Sequence, residues 1–349
     1  MEIKKILYAA VFCIIALFVA YRWFFVKPKR ETIFDEVVNV PKELVLNVPY
    51  LPPLCEQIPE QNKGFVPIKD GKLYYEEEGQ GIPLVLISGG PGCTHQVFHP
   101  YFSRIKDSAR IIYYDQRGVG KSSKDNTGTK YTVKQAVEDL EELRKTLKIE
   151  KWALLGWSYG GLLAQLYALT YPNRCIGIIL GVSEITIYKH YEDTKRTKTI
   201  ISKEEKAAVE RIKTKAEKGE LSPLQAGYNV MLSGEWKRYN YYKPTKEELI
   251  RKVLYSWDST PEFEKKMKQD IYQTKLKSKF ENFEIPTLIM EAKWELLWWD
   301  NAEERTELFR KNHPHAQIEI FEKSGHMIFA DEPEKFFRLV RKFLKKIEN

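Results

Sequence analysis

Ser158 sits at the centre of Gly156-Trp157-Ser158-Tyr159-Gly160-Gly161, with the apolar run Trp152 to Leu155 before it and the helical pattern Leu162 to Leu169 after it. That order predicts a strand, a sharp turn and a helix, with the serine at the apex and small residues letting the two elements pass closely. A serine presented in this way can act as a nucleophile once a base takes its proton and a carboxylate orients the base. Among six histidines, His326 in Ser324-Gly325-His326-Met327 follows the strand-like run Ile318 to Phe321 and precedes the amphipathic helix Pro333 to Ile347. It is therefore expected on a loop at the carboxyl end of a late strand, within reach of Ser158. The carboxylate is assigned to Glu295, just beyond the buried-strand run Pro286 to Glu291, which gives the chain order Ser158, Glu295, His326. Asp300, five residues further on, and Glu184, after the run Ile176 to Val182, stand as alternatives.

Acyl transfer also needs two backbone donors for the oxyanion. The strand Leu84 to Ile87 runs directly into Ser88-Gly89-Gly90-Pro91-Gly92, so the amides of Gly90 and of Tyr159, the residue after the serine, are the expected pair. Asp115-Gln116-Arg117-Gly118-Val119-Gly120-Lys121-Ser122 ends like a phosphate-binding loop, but aspartate occupies the place of that motif's first glycine. A structural loop tied by an arginine and a carboxylate is expected instead. His95 and His99 lie four apart with no carboxylate or cysteine at useful spacing, so no metal site is expected. His313 and His315 flank Pro314 in what reads as a surface turn.

The ordered set Gly89-Gly90-Pro91-Gly92, Asp115 to Ser122, Gly156 to Gly161 and Gly325-His326 resembles the α/β-hydrolase superfamily, and within it the proline iminopeptidase family of serine aminopeptidases. The resemblance covers roughly residues 61–349. It implies a serine hydrolase that removes a residue, typically proline, from a peptide amino terminus. Three positions depart from the family pattern: Ser88 where histidine is common, Tyr159 where tryptophan is common, and Glu295 where aspartate is usual. A serine nucleophile argues against the dehalogenase and epoxide hydrolase branches, which use aspartate.

The elements that must hold these residues follow from the pattern of the chain. Strands alternate with helices from Phe65 to Leu180, which predicts an α/β fold with a mostly parallel sheet flanked by helices. Residues 186–283 carry helical, charge-rich segments such as Ser202 to Lys218 and Lys246 to Trp257 without a strand, and so read as a helical cap over the carboxyl edge of the sheet. The expected division is core over 61–185, cap over 186–283 and core again over 284–349. The cap holds 22 Lys and Arg against 15 Asp and Glu, a surplus of seven in a chain of net charge +8. That surplus suits anionic ligands or acidic headgroups, while its mixed signs exclude a nucleic-acid stripe. An aminopeptidase must also hold an α-ammonium, for which Glu184 and Glu235 are the candidate carboxylates, with Trp236 as an apolar wall.

Ile6 to Tyr21 is uncharged and almost wholly apolar, and Trp23 to Val26 extends it past Arg22 to a length that spans a bilayer core of about 30 Å. Residues 1–27 are therefore expected to form an uncleaved transmembrane helix and a single-pass membrane anchor, followed by a Pro-rich linker over 28–60. Arg22, Lys27, Lys29 and Arg30 outnumber Lys4 and Lys5, which leans toward a cytoplasmic domain, although a short tail with two lysines can orient the other way. The expected reaction is acyl transfer on a peptide, with no cofactor. A membrane-anchored carboxylesterase or lipid-ester hydrolase, and a non-catalytic tethered binding protein, are the alternatives.

Overall fold

The apolar runs of the central strands are continuous because those strands are buried on both faces. The computed structural model describes residues 32–33, 36–58, 62–183, 195–274, 280, 283–297 and 302–348. Eight strands form one sheet: β1 (Asn62–Ile68), β2 (Gly71–Glu78), β3 (Ile82–Ile87), β4 (Ala109–Tyr114), β5 (Trp152–Trp157), β6 (Cys175–Gly181), β7 (Thr287–Ala292) and β8 (Gln317–Phe321). Their spatial order is β1-β2-β4-β3-β5-β6-β7-β8. β2 is antiparallel to β1 and to β4, and the remaining neighbours are parallel.

Successive residues of a strand point to opposite faces, and this splits the interior into two cores. Val85, Ile87 and Leu154 face the layer that holds α1 (Val133–Thr146) and α2 (Tyr159–Thr170). Leu84, Leu86 and Leu155 face Phe329, Phe336 and Val340. Each such side chain contributes about 1.5–3 kcal/mol through burial, so the sheet can hold an unfavourable turn at its edge.

Between β6 and β7 the chain forms α3 (Lys195–Ile200), α4 (Lys203–Glu217), α5 (Pro223–Leu232), α6 (Lys246–Tyr255) and α7 (Pro261–Gln273). Ser202 with Glu205, Ser222 with Gln225, and Thr245 with Glu248 form capping boxes that start α4, α5 and α6. α7 lies inside the span expected to be cap, yet its Phe263, Met267 and Ile271 pack into the core beside α1. Asp270 on α7 accepts the first amide of α1 from Val133 at 2.7 Å. After β7 come α8 (Ala302–Asn312), the short α9 (Ile328–Asp331) and α10 (Pro333–Glu348).

Part of the Pro-rich segment lies on the domain. Val45 donates to Asn229 Oδ1 at 2.8 Å, Gln225 Nε2 donates to the carbonyl of Leu46 at 2.8 Å, and Arg251 and Tyr255 donate to the carbonyls of Pro52 and Leu51. The anchor expected over residues 1–27 lies outside the described residues. Among the described residues, no helix is long and apolar enough to cross a membrane.

His313 corrects the surface-turn expectation. It is buried at the end of α8, with Nε2 2.9 Å from Gln165 Oε1 and its ring centroid 4.1 Å from that of Phe280. Burial lowers its pKa to about 4. An unfolded histidine titrates near about 6.5, so between the two values the unfolded chain binds more protons and stability rises with pH. The contribution is complete above about pH 6.5 and is lost progressively as pH falls toward the folded-state value, a span of about 3 kcal/mol. Urea unfolding measured from pH 7 to pH 4 is expected to show this slope, and His313→Gln is expected to flatten it. A slope unchanged by the substitution would contradict the assignment.

Candidate active site

β5 ends at Trp157 and α2 begins at Tyr159, which leaves Ser158 alone to turn the chain. Its backbone takes φ 60° and ψ −129°, a region that side chains disfavour. Although Ser158 is the N-cap of α2, its hydroxyl makes no capping hydrogen bond and so remains available for chemistry. The turn is tight enough that a Cβ on Gly160 would come within 2.0 Å of the Ile87 carbonyl oxygen. The same contact draws the segment after β3 onto the serine: a Cβ on Gly89 would lie 2.8 Å from Ser158 Cβ. Gly90 next to it has φ 114°, which glycine adopts at little cost.

Other parts of the chain hold this glycine loop. Gln116 Nε2 donates to the Ser88 carbonyl at 3.2 Å, and Ser88 Oγ donates to the Cys93 carbonyl at 2.7 Å. The segment after α6 closes over it, with the Asp258 amide donating to the Gly92 carbonyl at 3.2 Å and the Thr94 amide to the Ser256 carbonyl at 3.1 Å. Arg117 makes a two-pronged contact with Asp139, both distances 2.8 Å, and also donates to the Lys69 carbonyl at 2.9 Å. The Asp115 to Ser122 loop is thus a brace, tied by an arginine and a carboxylate.

The loops after β7 and β8 run side by side. The Lys293 amide donates to the Phe321 carbonyl at 3.0 Å, and the Trp294 amide to the Ser324 carbonyl at 3.1 Å. This pairing brings Glu295 Oε2 to 2.6 Å from His326 Nδ1, and the other carboxylate oxygen accepts from the Leu297 amide at 2.6 Å. Burial pushes the Glu295 carboxyl up, but the His326 imidazole and the Arg305 guanidinium outweigh it and hold the group below its ordinary value. A carboxylate bonded to Nδ1 fixes the proton on that nitrogen and leaves Nε2 as the base. Trp157 connects this pair to the serine: its Nε1 donates to the His326 carbonyl at 2.8 Å, and the two ring centroids lie 4.9 Å apart. Ser158, Glu295 and His326 are all buried. A hydroxyl free of capping duty, an imidazole oriented by an ionised carboxylate and a glycine loop against the serine together meet the requirements of acyl transfer.

Two further sequence candidates lie in the cap. Glu235 pairs with Arg238 at 3.1 Å, and Trp236 is buried in the cap's own core with Ile33 and Leu249. Trp236 is thus engaged in the cap's packing, while Glu235, paired with Arg238, also lies near enough to Lys252 of the adjoining cavity to act on it. Glu184 and Asp300 lie outside the described residues. Beside the site, a cavity of about 310 Å³ is lined by residues that include Gln96, Tyr101, Asn240, Lys252, Tyr255 and Met327, the last adjacent to His326. Lys252 Nζ is buried without a hydrogen-bond partner, 3.9 Å above the Tyr239 ring. Burial lowers its pKa to about 8, against the pull of Cys93, Asp331, Glu235 and Glu248.

Sequence reasoning missed three features that depend on tertiary pairing. Arg305 on α8 binds buried Glu291 and the Ser183 carbonyl while helping to hold Glu295 ionised. Asp331 accepts the amides of Gly325 and Tyr241, both at 2.9 Å, and so ties the histidine loop to the cap. The third is the lysine of the cavity. Spacing could have flagged only Asp331, five residues after His326.

Comparison with known proteins agrees with the geometry. Residues 82–197 match the α/β-hydrolase fold family. The chain is 27% identical over 300 residues to the proline iminopeptidase of Saccharolobus solfataricus, covering 78% of this chain and 88% of that one. Among solved structures it is similar to an esterase from Exiguobacterium antarcticum, with TM-score 0.62 and 24% identity over 80% of this chain and 98% of that one. It is also similar to the proline iminopeptidase of Mycobacterium smegmatis, with TM-score 0.62 and 19% identity over 82% of this chain and 99% of that one. The chain has the α/β-hydrolase fold and is a hydrolytic enzyme. Over most of its length it is similar to proline iminopeptidase sequences.

Arg305 supplies a test of the site's electrostatic support. Burial pushes its partner Glu291 up to about 7 in spite of the ion pair. Removing the cation alone strands a buried carboxylate, so Arg305→Met is expected to cost about 3–5 kcal/mol in urea unfolding. Arg305→Met combined with Glu291→Gln should recover most of that loss. Additive losses in the double variant would show that the pair does not act as a unit.

Proposed function

We propose that the chain is a serine hydrolase working by acyl transfer, and that it acts as an aminopeptidase releasing proline or a similar residue from peptide amino termini. His326 takes the proton of Ser158 Oγ as the serine attacks the carbonyl carbon. The amides of Gly90 and Tyr159 hold the oxyanion, and collapse of the tetrahedral adduct expels the amine with the proton that His326 carries. Water, deprotonated by the same imidazole, then cleaves the acyl-enzyme and restores Ser158. Glu295 keeps His326 in the required tautomer. The observation that carries this reading is the 2.6 Å contact between Glu295 and His326, held to the serine turn through the 2.8 Å bond from Trp157. The names of the similar sequences support the choice of an amino-terminal residue as the acyl group, with the shortened peptide leaving as the amine.

Lys252 favours a second reading. A cavity that presents an unpartnered buried cation beside His326 suits an ester carrying an anionic group better than it suits an α-ammonium. Residues 6–26 further suggest a membrane-tethered hydrolase, on sequence alone.

Fluorophosphonate is expected to label the full chain, and Ser158→Ala should abolish both labelling and turnover, with a loss of about 10⁴-fold or more. A chain that binds peptides but resists labelling would instead be a binding protein. Turnover of an amino-terminal proline arylamide and of a short-chain ester should then be compared. An ester preference that Lys252→Met lowers through KM would replace the aminopeptidase reading. The tether is checked by sedimentation: the full chain should pellet with vesicles, and a chain beginning at residue 32 should stay in the supernatant.

A further inference from the structure

A second group of chemically active side chains lies away from the serine. It is assembled from three distant segments: Cys55 in the 3-10 turn Leu54–Gln57 of the Pro-rich strip, Glu76 on β2, and His95 after the glycine loop. All three are buried. A sulfur, a carboxylate oxygen and an imidazole nitrogen, one from each, lie within 4.8 Å of one another.

The surroundings of His95 make this grouping informative. Its Nδ1 is 2.7 Å from Asp115 Oδ1, and that carboxylate also accepts the His95 amide at 2.9 Å and the Lys121 amide at 3.0 Å. Asp115 thus engages Nδ1 and leaves Nε2 as the ring atom that faces the other two donors. Nε2 faces Glu76 Oε1, 3.3 Å away, without the alignment of a hydrogen bond. On the far side of the same carboxylate, His99 Nε2 stands 3.3 Å from Glu76 Oε2, while Tyr74 donates to Oε1 at 2.6 Å. Both orient Glu76.

We propose that Cys55, Glu76 and His95 bind a zinc ion that clips the Pro-rich strip to the hydrolase core. Zinc takes mixed sulfur, nitrogen and oxygen donors at about 2.0–2.3 Å, and tetrahedral bonds of that length separate ligand atoms by roughly 3.3–3.8 Å. The three donors lie within 4.8 Å of one another, so a small contraction would close them on the ion, and Asp115 supplies the outer carboxylate that a ligating histidine ordinarily has. The ion would bind as Cys55 loses its thiol proton to solvent. Its binding energy would add to folding, because the unfolded chain holds the three donors apart. The clip would also connect the strip to the loop that carries Gln116, and through Gln116 to the Ser88 carbonyl beside the oxyanion glycines. Sequence spacing could not reveal the set, because its members are separated by about 20 residues or more.

The full chain, stripped with chelator and titrated with Co²⁺, is expected to bind one equivalent and to develop a thiolate-to-cobalt charge-transfer absorption. Cys55→Ser should lose that band and bind cobalt at least about tenfold more weakly, while Asp115→Asn should keep the band and weaken binding by about 10–100-fold. Chelator should lower the Tm of the zinc-loaded chain and leave Cys55→Ser unaffected. If the folded wild-type chain takes up no stoichiometric cobalt, a proton on His95 Nε2 fills the gap and the proposal is overturned. It is equally overturned if the band persists in Cys55→Ser.

Discussion

One residue turns the chain from the central strand into the helix beneath the site, and the geometry of the site depends on that turn. Ser158 holds φ 60° and ψ −129°, an arrangement that costs on the order of 1–3 kcal/mol for a residue with a side chain. It persists because both neighbours are locked: β5 is paired with β3 and β6, and the first turn of α2 lies against the carbonyls at the end of β3. Two apolar cores, one on each face of the sheet, outweigh the local cost. The result is a hydroxyl that neither caps the helix nor pairs in the sheet.

The remaining parts of the site are arranged around that hydroxyl by pairing of loops at one sheet edge. Parallel strands place their carboxyl ends together, so the segments after β3, β5, β7 and β8 meet above the same edge. Buried charges there occur in matched sets: Glu295 with His326, Glu291 with Arg305, and Arg117 with Asp139. A single unmatched charge would be costly in such surroundings, and this is why the cationic Lys252 in the adjoining cavity bears on substrate choice. The cap does more than cover the site. Its residues 256–258 pair with the glycine loop, and its Tyr239 carbonyl accepts the Met327 amide at 2.9 Å, so cap position and site geometry are mechanically linked.

Local pattern was enough to read the sheet and to place Ser158, Glu295 and His326 at its carboxyl edge, because each sits on a short loop directly after an apolar run. The helical cap was legible for the same reason, through Ser202, Ser222 and Thr245 as helix starts. What escaped was set by contacts between distant segments. Trp236 looks like a pocket wall in sequence, yet the cap needs it for its own small core. His313 looks exposed beside Pro314, but Phe280 and Gln165 cover it. Arg305 and the Cys55, Glu76 and His95 grouping carry no spacing signal, since their partners arrive from other elements.

The central claim is that acyl transfer passes through Ser158 under the control of the His326 and Glu295 pair. Intact-protein and peptide mass spectrometry of the chain quenched during turnover of an activated ester tests it most directly. The account predicts an acyl mass added to the peptide that holds Ser158, forming faster than it decays and absent from His326→Ala. Turnover with no acyl group on that peptide, or with the acyl group on another residue, would contradict it.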